Sequence, residues 1–307
     1  MSKLYIFTGI QTTGKPTLGN YCGLIHPILE LQKKGTHEII IMIADLHSLT
    51  VPKPNFNYRE SCYEIASLLY ACGLKEEKSP LVTISELNNM IQYKEKKKEQ
   101  ETGNLALLSY PVLMAADIFL YDADLVIVGQ DQKQHLELTS DIAQKFNNFY
   151  EKELLKIPEF FIPNLGAKIM GLQNPEKKMS KSEQDCIFLL DKPETIKKKI
   201  ETAITDSENK IYYDREKKPG ISNLLIIYAL LTKQEIKAAE KELQNINYHQ
   251  FKLQLIDLLN KNLGIIQERY KSYLPHIKGI VEENNIYLKD LAERKIKIIK
   301  KELKILY

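Results

Sequence analysis

Five consecutive residues, Lys178-Met179-Ser180-Lys181-Ser182, put two ammonium groups and two hydroxyls on one short stretch. In a chain so rich in lysine a basic turn alone means little, but this particular string is a donor set suited to a polyphosphate. A second candidate lies near the start, in "FTGIQTTGKPTLGNYCG" (Phe7–Gly23), where an apolar run gives way to glycines and threonines and then to helical spacing. A helix N-terminus offers unpaired N–H groups and the positive end of a dipole, and glycine lets a ligand approach the backbone, so phosphate is again the expected guest. The loop fits neither GxxxxGK[ST] nor GxGxxG, which leaves the kind of phosphate open. The third candidate is Asp117 in "LMAADIFL". A carboxylate within an apolar helical stretch is costly to bury unless something pairs with it; a surface or capping aspartate is the alternative. The run "KEKKK" (Lys94–Lys98) reads either as a loop or as a hand for phosphates.

These residues need elements to position them. The runs Leu4–Phe7, Glu38–Ala44, Leu81–Ile84 and Leu125–Gly129 are short, apolar and β-branched, and helical patterns at Leu18–Lys34, Tyr58–Cys72 and Leu105–Leu120 separate them. Strands buried on both faces and alternating with helices predict an α/β fold with a parallel sheet. Ligands of such sheets sit at the carboxyl ends of the strands, which directs attention to the loops after Phe7, Ala44 and Val128. Beyond Cys186 the β-rich runs stop and i, i+3, i+4 spacing takes over, predicting an all-α second half. Its lysine-rich faces are either solvated surface or a polyanion contact.

Composition narrows the class further. Hydrophobic residues at 44% and charged residues at 27% describe an ordinary globular chain, and a net charge of +3 permits a nucleic-acid partner without demanding one. The four cysteines, Cys22, Cys62, Cys72 and Cys186, have no CxxC spacing, so no metal site is expected and reduced core thiols are. The opening "MSKLYIF" is too short for a signal peptide and no apolar run reaches the length of a membrane span, so a cytoplasmic protein without membrane contact is expected.

Taken together, these stretches resemble the class I aminoacyl-tRNA synthetases, and in detail their bacterial tryptophanyl branch. The second signature of that class stands intact as Lys178–Ser182. The first, ordinarily His-Ile-Gly-His, is replaced by Thr17-Leu18-Gly19-Asn20, a departure the tryptophanyl branch commonly shows. "YPVLMAADIFLYDADLVIVGQDQKQHLELTSDIAQKFN" (Tyr110–Asn147) and "TDSENKIYYDREKKPGISNLL" (Thr205–Leu225) extend the likeness, which runs from Phe7 to about Leu231.

The resemblance implies a Rossmann-like catalytic domain, residues 1–186, ending in the KMSKS loop. A helical, anticodon-binding domain, residues 187–307, would follow, with room for its last helix to pack back on the first. It implies activation of L-tryptophan by ATP to the adenylate, then transfer to the terminal ribose of tRNA(Trp), by a homodimer. Gln11, Thr12, Thr13, Gly19 and Asn20 would line the nucleotide, Gly129, Gln130 and Asp131 its ribose, and Lys178, Met179, Ser180, Lys181 and Ser182 its phosphates, with Mg²⁺ arriving on the ATP. Thr17, Asn20, Lys178 and Lys181 would be the catalytic set, with Lys96 a further candidate for the phosphates. Asp117 would accept the indole N–H, Gln132 would touch the amino group, and Phe7, His47, Tyr110, Met114, Val126, Val128 and Ile169 would form the walls. For His47 a strand-end histidine bonded to backbone is the alternative. The missing signature histidines are tolerable because the attacking amino-acid carboxylate is already ionised, so positioning and charge stabilisation outweigh proton transfer. Two related readings fit less well. A tyrosyl enzyme is expected to carry a further C-terminal RNA-binding domain, and a small nucleotidyltransferase to lack the helical half.

Overall fold

A computed structural model describes residues 4–12, 14–35, 37–45, 56–76, 81–83, 105–129, 132–162, 169–179 and 185–304, with the backbone alone at 81–83 and 105–110. The chain divides into two compact units, one made of residues 1–13, 28–162 and 273–307 and the other of 14–27 and 163–272.

The first unit holds a parallel sheet of β1 (Leu4–Gln11), β2 (His37–Ala44), β3 (Leu81–Thr83), β4 (Leu125–Ile127) and β5 (Glu159–Phe161) in the order β3-β2-β1-β4-β5. Every pairing is parallel, and β1 runs in register with β2 from Leu4 opposite His37 to Gln11 opposite Ala44. The strand order reverses between β1 and β4, which makes their carboxyl ends the expected binding crevice. Four of the five strands coincide with the apolar runs in the sequence. The fifth escapes that reading because Glu159, Phe160 and Phe161 are all exposed, so no buried run marks this edge strand.

Among the described residues the helices of this unit are α2 (His26–Lys34, from Ile28 onward), α3 (Tyr58–Ala71), α4 (Leu105–Leu120), α5 (Lys133–Tyr150) and α10 (Ile277–Glu302). Phe7, Ile40, Met42, Val126 and Val128 of the sheet pack with Ile118 and Tyr121 and with Leu288 and Ala292 of α10. Polar contacts fasten α10 as well: Asn284 donates to the Tyr70 hydroxyl (2.7 Å) and the Tyr287 hydroxyl to Glu38 (2.9 Å), while Lys295 pairs with Asp122.

The second unit contains α1 (Leu18–Asn20), α6 (Pro193–Glu201), α7 (Pro219–Thr232), α8 (Ile236–Leu243) and α9 (Tyr248–Tyr273, as far as Ser272). Between α1 and α2, Tyr21–Ile25 forms a π-helical turn, so the single helix expected over residues 18–34 comes in three pieces. Pro27 has no N–H to give Gly23, and the wider turn closes instead through the His26 N–H to the Tyr21 carbonyl. At the start of α7 a side chain on Gly220 would come 2.1 Å from the Ile204 carbonyl, so only glycine allows this approach.

Packing divides the chain differently from the expected boundary at 186/187. Residues 14–27, 169–179 and 185–186 group with the helices of the second unit, and 273–304 group with the sheet.

Candidate active site

Two groups of expected site residues can be built upward, one in each unit. In the second unit, Thr17 caps α1 and its hydroxyl accepts from the Asn20 N–H (3.3 Å), while the Asn20 side-chain oxygen accepts from the Thr17 N–H (3.0 Å). This reciprocal cap fixes the entry angle of the helix. It also occupies the Thr17 hydroxyl, which donates to the same Asn20 oxygen at 3.1 Å. Asn20 keeps its amide N–H groups as donors.

The same turn is strapped to the chain that follows the lysine-serine string. Leu18 donates to the Ile187 carbonyl (2.7 Å), Leu189 donates to the Pro16 carbonyl (3.1 Å), and Thr17 bridges to Phe188. A Cβ built on Gly19 would lie 3.7 Å from Met179, so the glycine of the first signature sits against the methionine of the second. The structure thus brings together Thr17, Gly19, Asn20 and Met179. Lys178 pairs with Met170 in an antiparallel bridge, and the Met179 N–H donates to the carbonyl of the buried Ile169 (2.9 Å). Ser180, Lys181 and Ser182 lie outside the described residues, as do Thr13, His47, Lys96, Gln130 and Asp131.

In the first unit, Asp117 on α4 is 3% exposed, and among the described residues its Oδ2 has no hydrogen-bond partner. Burial pushes this carboxyl up to about 8, and the buried Asp45 at the end of β2 adds to the shift. Tyr121 is the other neighbour: burial and then the Asp117 charge raise its hydroxyl above the usual phenol range. Tyr121 also stacks on Phe7 with ring centroids 5.7 Å apart. Phe7, Met114, Val126 and Val128 belong to one packed cluster with that ring. Tyr110 lies on α4 with its side chain outside the described residues, and Ile169 falls in the second unit.

The loop ends of the sheet hold the remaining residues. Gln11 is exposed at the end of β1, and the buried Thr12 after it accepts from Ser61 through its carbonyl (2.7 Å). Gly129 is exposed beyond β4 and accepts from the Gln132 N–H (3.0 Å). Gln132 opens α5, and its side-chain oxygen lies 2.8 Å from His135 Nδ1. Among the described residues no cluster of three or more His, Cys, Asp or Glu side chains could hold a metal ion. The four cysteines are buried and form no disulfide, with burial raising the thiols of Cys22 and Cys62 to about 12.

The sequence did not single out Asp45, Tyr121, Asp185 or Asn223 as site residues. Asn223 carried a usable signal, a polar amide inside the apolar "GISNLLIIYALL", which is the signal that marked Asp117.

A nucleotide-fold sheet with this pair of signature stretches defines a class, and the comparisons agree. The chain matches the family of class I tRNA synthetases (W and Y) over residues 1–85 and 79–264, and it belongs to that family. It is 42% identical to a tryptophan–tRNA ligase of Listeria monocytogenes over 98% of this chain and 96% of that one. Its fold is similar to that of a tryptophanyl-tRNA synthetase from Mycoplasma pneumoniae, with a TM-score of 0.81 and 31% identity over 99% of this chain and 98% of the other. A Campylobacter jejuni tryptophanyl-tRNA synthetase in complex with ADP and tryptophan gives a TM-score of 0.77 at 28% identity, over 98% of this chain and 100% of the other.

Proposed function

We propose that this chain activates L-tryptophan with ATP, giving tryptophanyl-adenylate and pyrophosphate. It then transfers tryptophan to the 3′-terminal ribose of tRNA(Trp) and releases AMP. The observation that carries the specificity is Asp117, a buried carboxylate with an unmatched oxygen beside an aromatic and aliphatic cluster. An indole N–H supplies the donor such an oxygen lacks, and a phenyl ring does not. Phe7, Met114, Val126 and Val128 supply apolar walls beside Asp117, and Gln132, oriented by His135, meets the amino group.

In the first step the substrate carboxylate attacks the α-phosphorus in line and pyrophosphate leaves. Lys178 and Lys181 neutralise the charge that develops on the leaving group, with the hydroxyls of Ser180 and Ser182 beside them. Mg²⁺ enters as part of the ATP substrate. Gly19 lets the nucleotide lie against the start of α1, Asn20 donates from its amide, and Gln11, Thr12, Thr13, Gly129, Gln130 and Asp131 line adenine and ribose. Residues 1–186 perform the chemistry, and the helices within 187–307 read the anticodon. The protein works as a cytoplasmic homodimer. Large apolar side chains left exposed on the first unit, such as Phe149 (79% exposed), Val112 and Phe160, support an interface there. No helix among the described residues is long and apolar enough to cross a membrane.

The test is ATP–pyrophosphate exchange with a panel of amino acids. Tryptophan should drive exchange, with tyrosine and phenylalanine weaker by a factor of about a hundred or more. Exchange driven best by tyrosine, or by none of the panel, would overturn the reading.

A further inference from the structure

Asn223 sits in the middle of α7, 2% exposed, and both ends of its amide close on one residue. Its Oδ1 accepts from the Met170 N–H (2.8 Å) and its Nδ2 donates to the Met170 carbonyl (2.8 Å). Met170 is the residue paired with Lys178. The bonds of that pairing flank it: Gly171 N–H to the Lys177 carbonyl and Met179 N–H to the Ile169 carbonyl, both 2.9 Å. Met170 and Lys178 are therefore a non-hydrogen-bonded pair, and the N–H and C=O of Met170 point away from its partner strand. Asn223 is what satisfies them, as a third strand would.

The stretch that Asn223 holds is itself tied to the far side of the lysine-serine string. The Asp185 carboxylate accepts from the N–H groups of Gln173 (2.8 Å) and Asn174 (3.1 Å), and the Leu172 N–H donates to the Asp185 carbonyl (3.1 Å). A Cβ on Gly171 would come 2.2 Å from that carboxylate, so the approach needs glycine. A cleft of about 400 Å³, lined by Met170, Ser222 and Asn223 among others, opens beside the amide clamp.

We infer that Asn223 is a positioning residue for amino-acid activation: through Met170 it sets where the backbone presents Lys178 to the phosphates of ATP. The inference rests on the assignment of Lys178 to those phosphates. Lys178 itself is exposed and makes no ion pair among the described residues, so the backbone pairing is what fixes its origin.

The experiment is a double-mutant cycle. Single-turnover adenylate formation is measured for wild type, Asn223→Ala, Lys178→Ala and the double variant. Tryptophan affinity is read beside it from the fluorescence of bound tryptophan, since the chain contains none of its own. Asn223→Ala should slow activation about 10- to 100-fold, the scale of a misplaced reacting group, with tryptophan affinity within about twofold of wild type. On the Lys178→Ala background the same substitution should cost less than about threefold, because the residue it acts through is gone. Asn223→Asp keeps the volume and the acceptor for Met170 N–H but loses the donor, and should fall between the two. It also serves should the alanine variant fail to fold. Activation by both Asn223 variants equal to wild type, or equal losses in the presence and absence of Lys178, would overturn the inference while leaving the proposed function standing. A Lys178→Ala variant as fast as wild type would overturn the phosphate assignment and the inference with it.

Discussion

Lys218 in the second unit and Asp117 in the first are buried to nearly the same depth, 2% and 3% exposed, and their surroundings treat them in opposite ways. The Lys218 ammonium lies within hydrogen-bond distance of four oxygens: Tyr248 hydroxyl (2.8 Å), Asp206 Oδ1 (2.9 Å), Glu208 Oε2 (2.9 Å) and the Lys210 carbonyl (3.0 Å). The ring of Tyr212 lies 4.6 Å from it as well. Burial pushes Lys218 toward the neutral form, but the bonds to Tyr248, Asp206 and Glu208 more than offset that and hold its pKa above the usual lysine value. Asp117 has the same burial and no such set, so its carboxyl is forced up to about 8. A buried charge with every partner supplied by the chain is a device for folding. One held with a partner missing costs stability, and a ligand that brings the partner recovers it.

The largest test of this contrast is folding stability. Lys218→Ala removes the partner of two carboxylates and a phenol and should lower the unfolding free energy by about 3 kcal/mol in a urea titration. Asp117→Ala should leave stability at neutral pH unchanged or raise it. A destabilisation as large as that of Lys218→Ala would show that Asp117 is a structural residue after all.

Substrate selection should reverse the ranking. Asp117→Ala should lower kcat/KM for tryptophan by about 1.5–3 kcal/mol, the range for a hydrogen bond to a charged group, measured above pH 8 where the carboxylate is ionised. The preference for tryptophan over phenylalanine should shrink with it. An unchanged ratio would detach Asp117 from specificity and return tyrosine to contention.

The third test reads a slope. The folded value of Asp117 is raised from 3.8 to about 8, so the native state binds the extra proton across that window. Stability should therefore fall as pH rises through it, by at most about 1.4 kcal/mol per pH unit. Asp117→Asn should remove that component from the stability profile. Because an indole donor favours the ionised form, tryptophan should bind wild type more tightly as pH rises from neutral through about 8, releasing a proton. A flat tryptophan affinity over that range would place the proton elsewhere.

Much of the molecule was legible beforehand because the signals are local. β2 and β4 are short apolar runs, and burial on both faces leaves a run rather than an alternation. Helical spacing begins at Leu18, and Asp117 interrupts an apolar stretch. β5 was not legible because an exposed edge strand has no hydrophobic signature, and the break in the helix at Tyr21–Ile25 turns on a missing N–H at Pro27.

The sequence by itself determined which runs form the inner strands of the sheet and which faces are buried: periodicity and composition report whether a side chain avoids water. They do not report what it meets instead. Only the tertiary structure decided that Gly19 lies against Met179, that residues 16–18 are bonded to 187–189, that α10 joins the sheet unit, and that the amide of Asn223 closes on Met170. Each of these is a contact between segments far apart in the chain. Such partners are chosen by shape and by the need to satisfy buried backbone groups, and no window of sequence contains both sides of that choice.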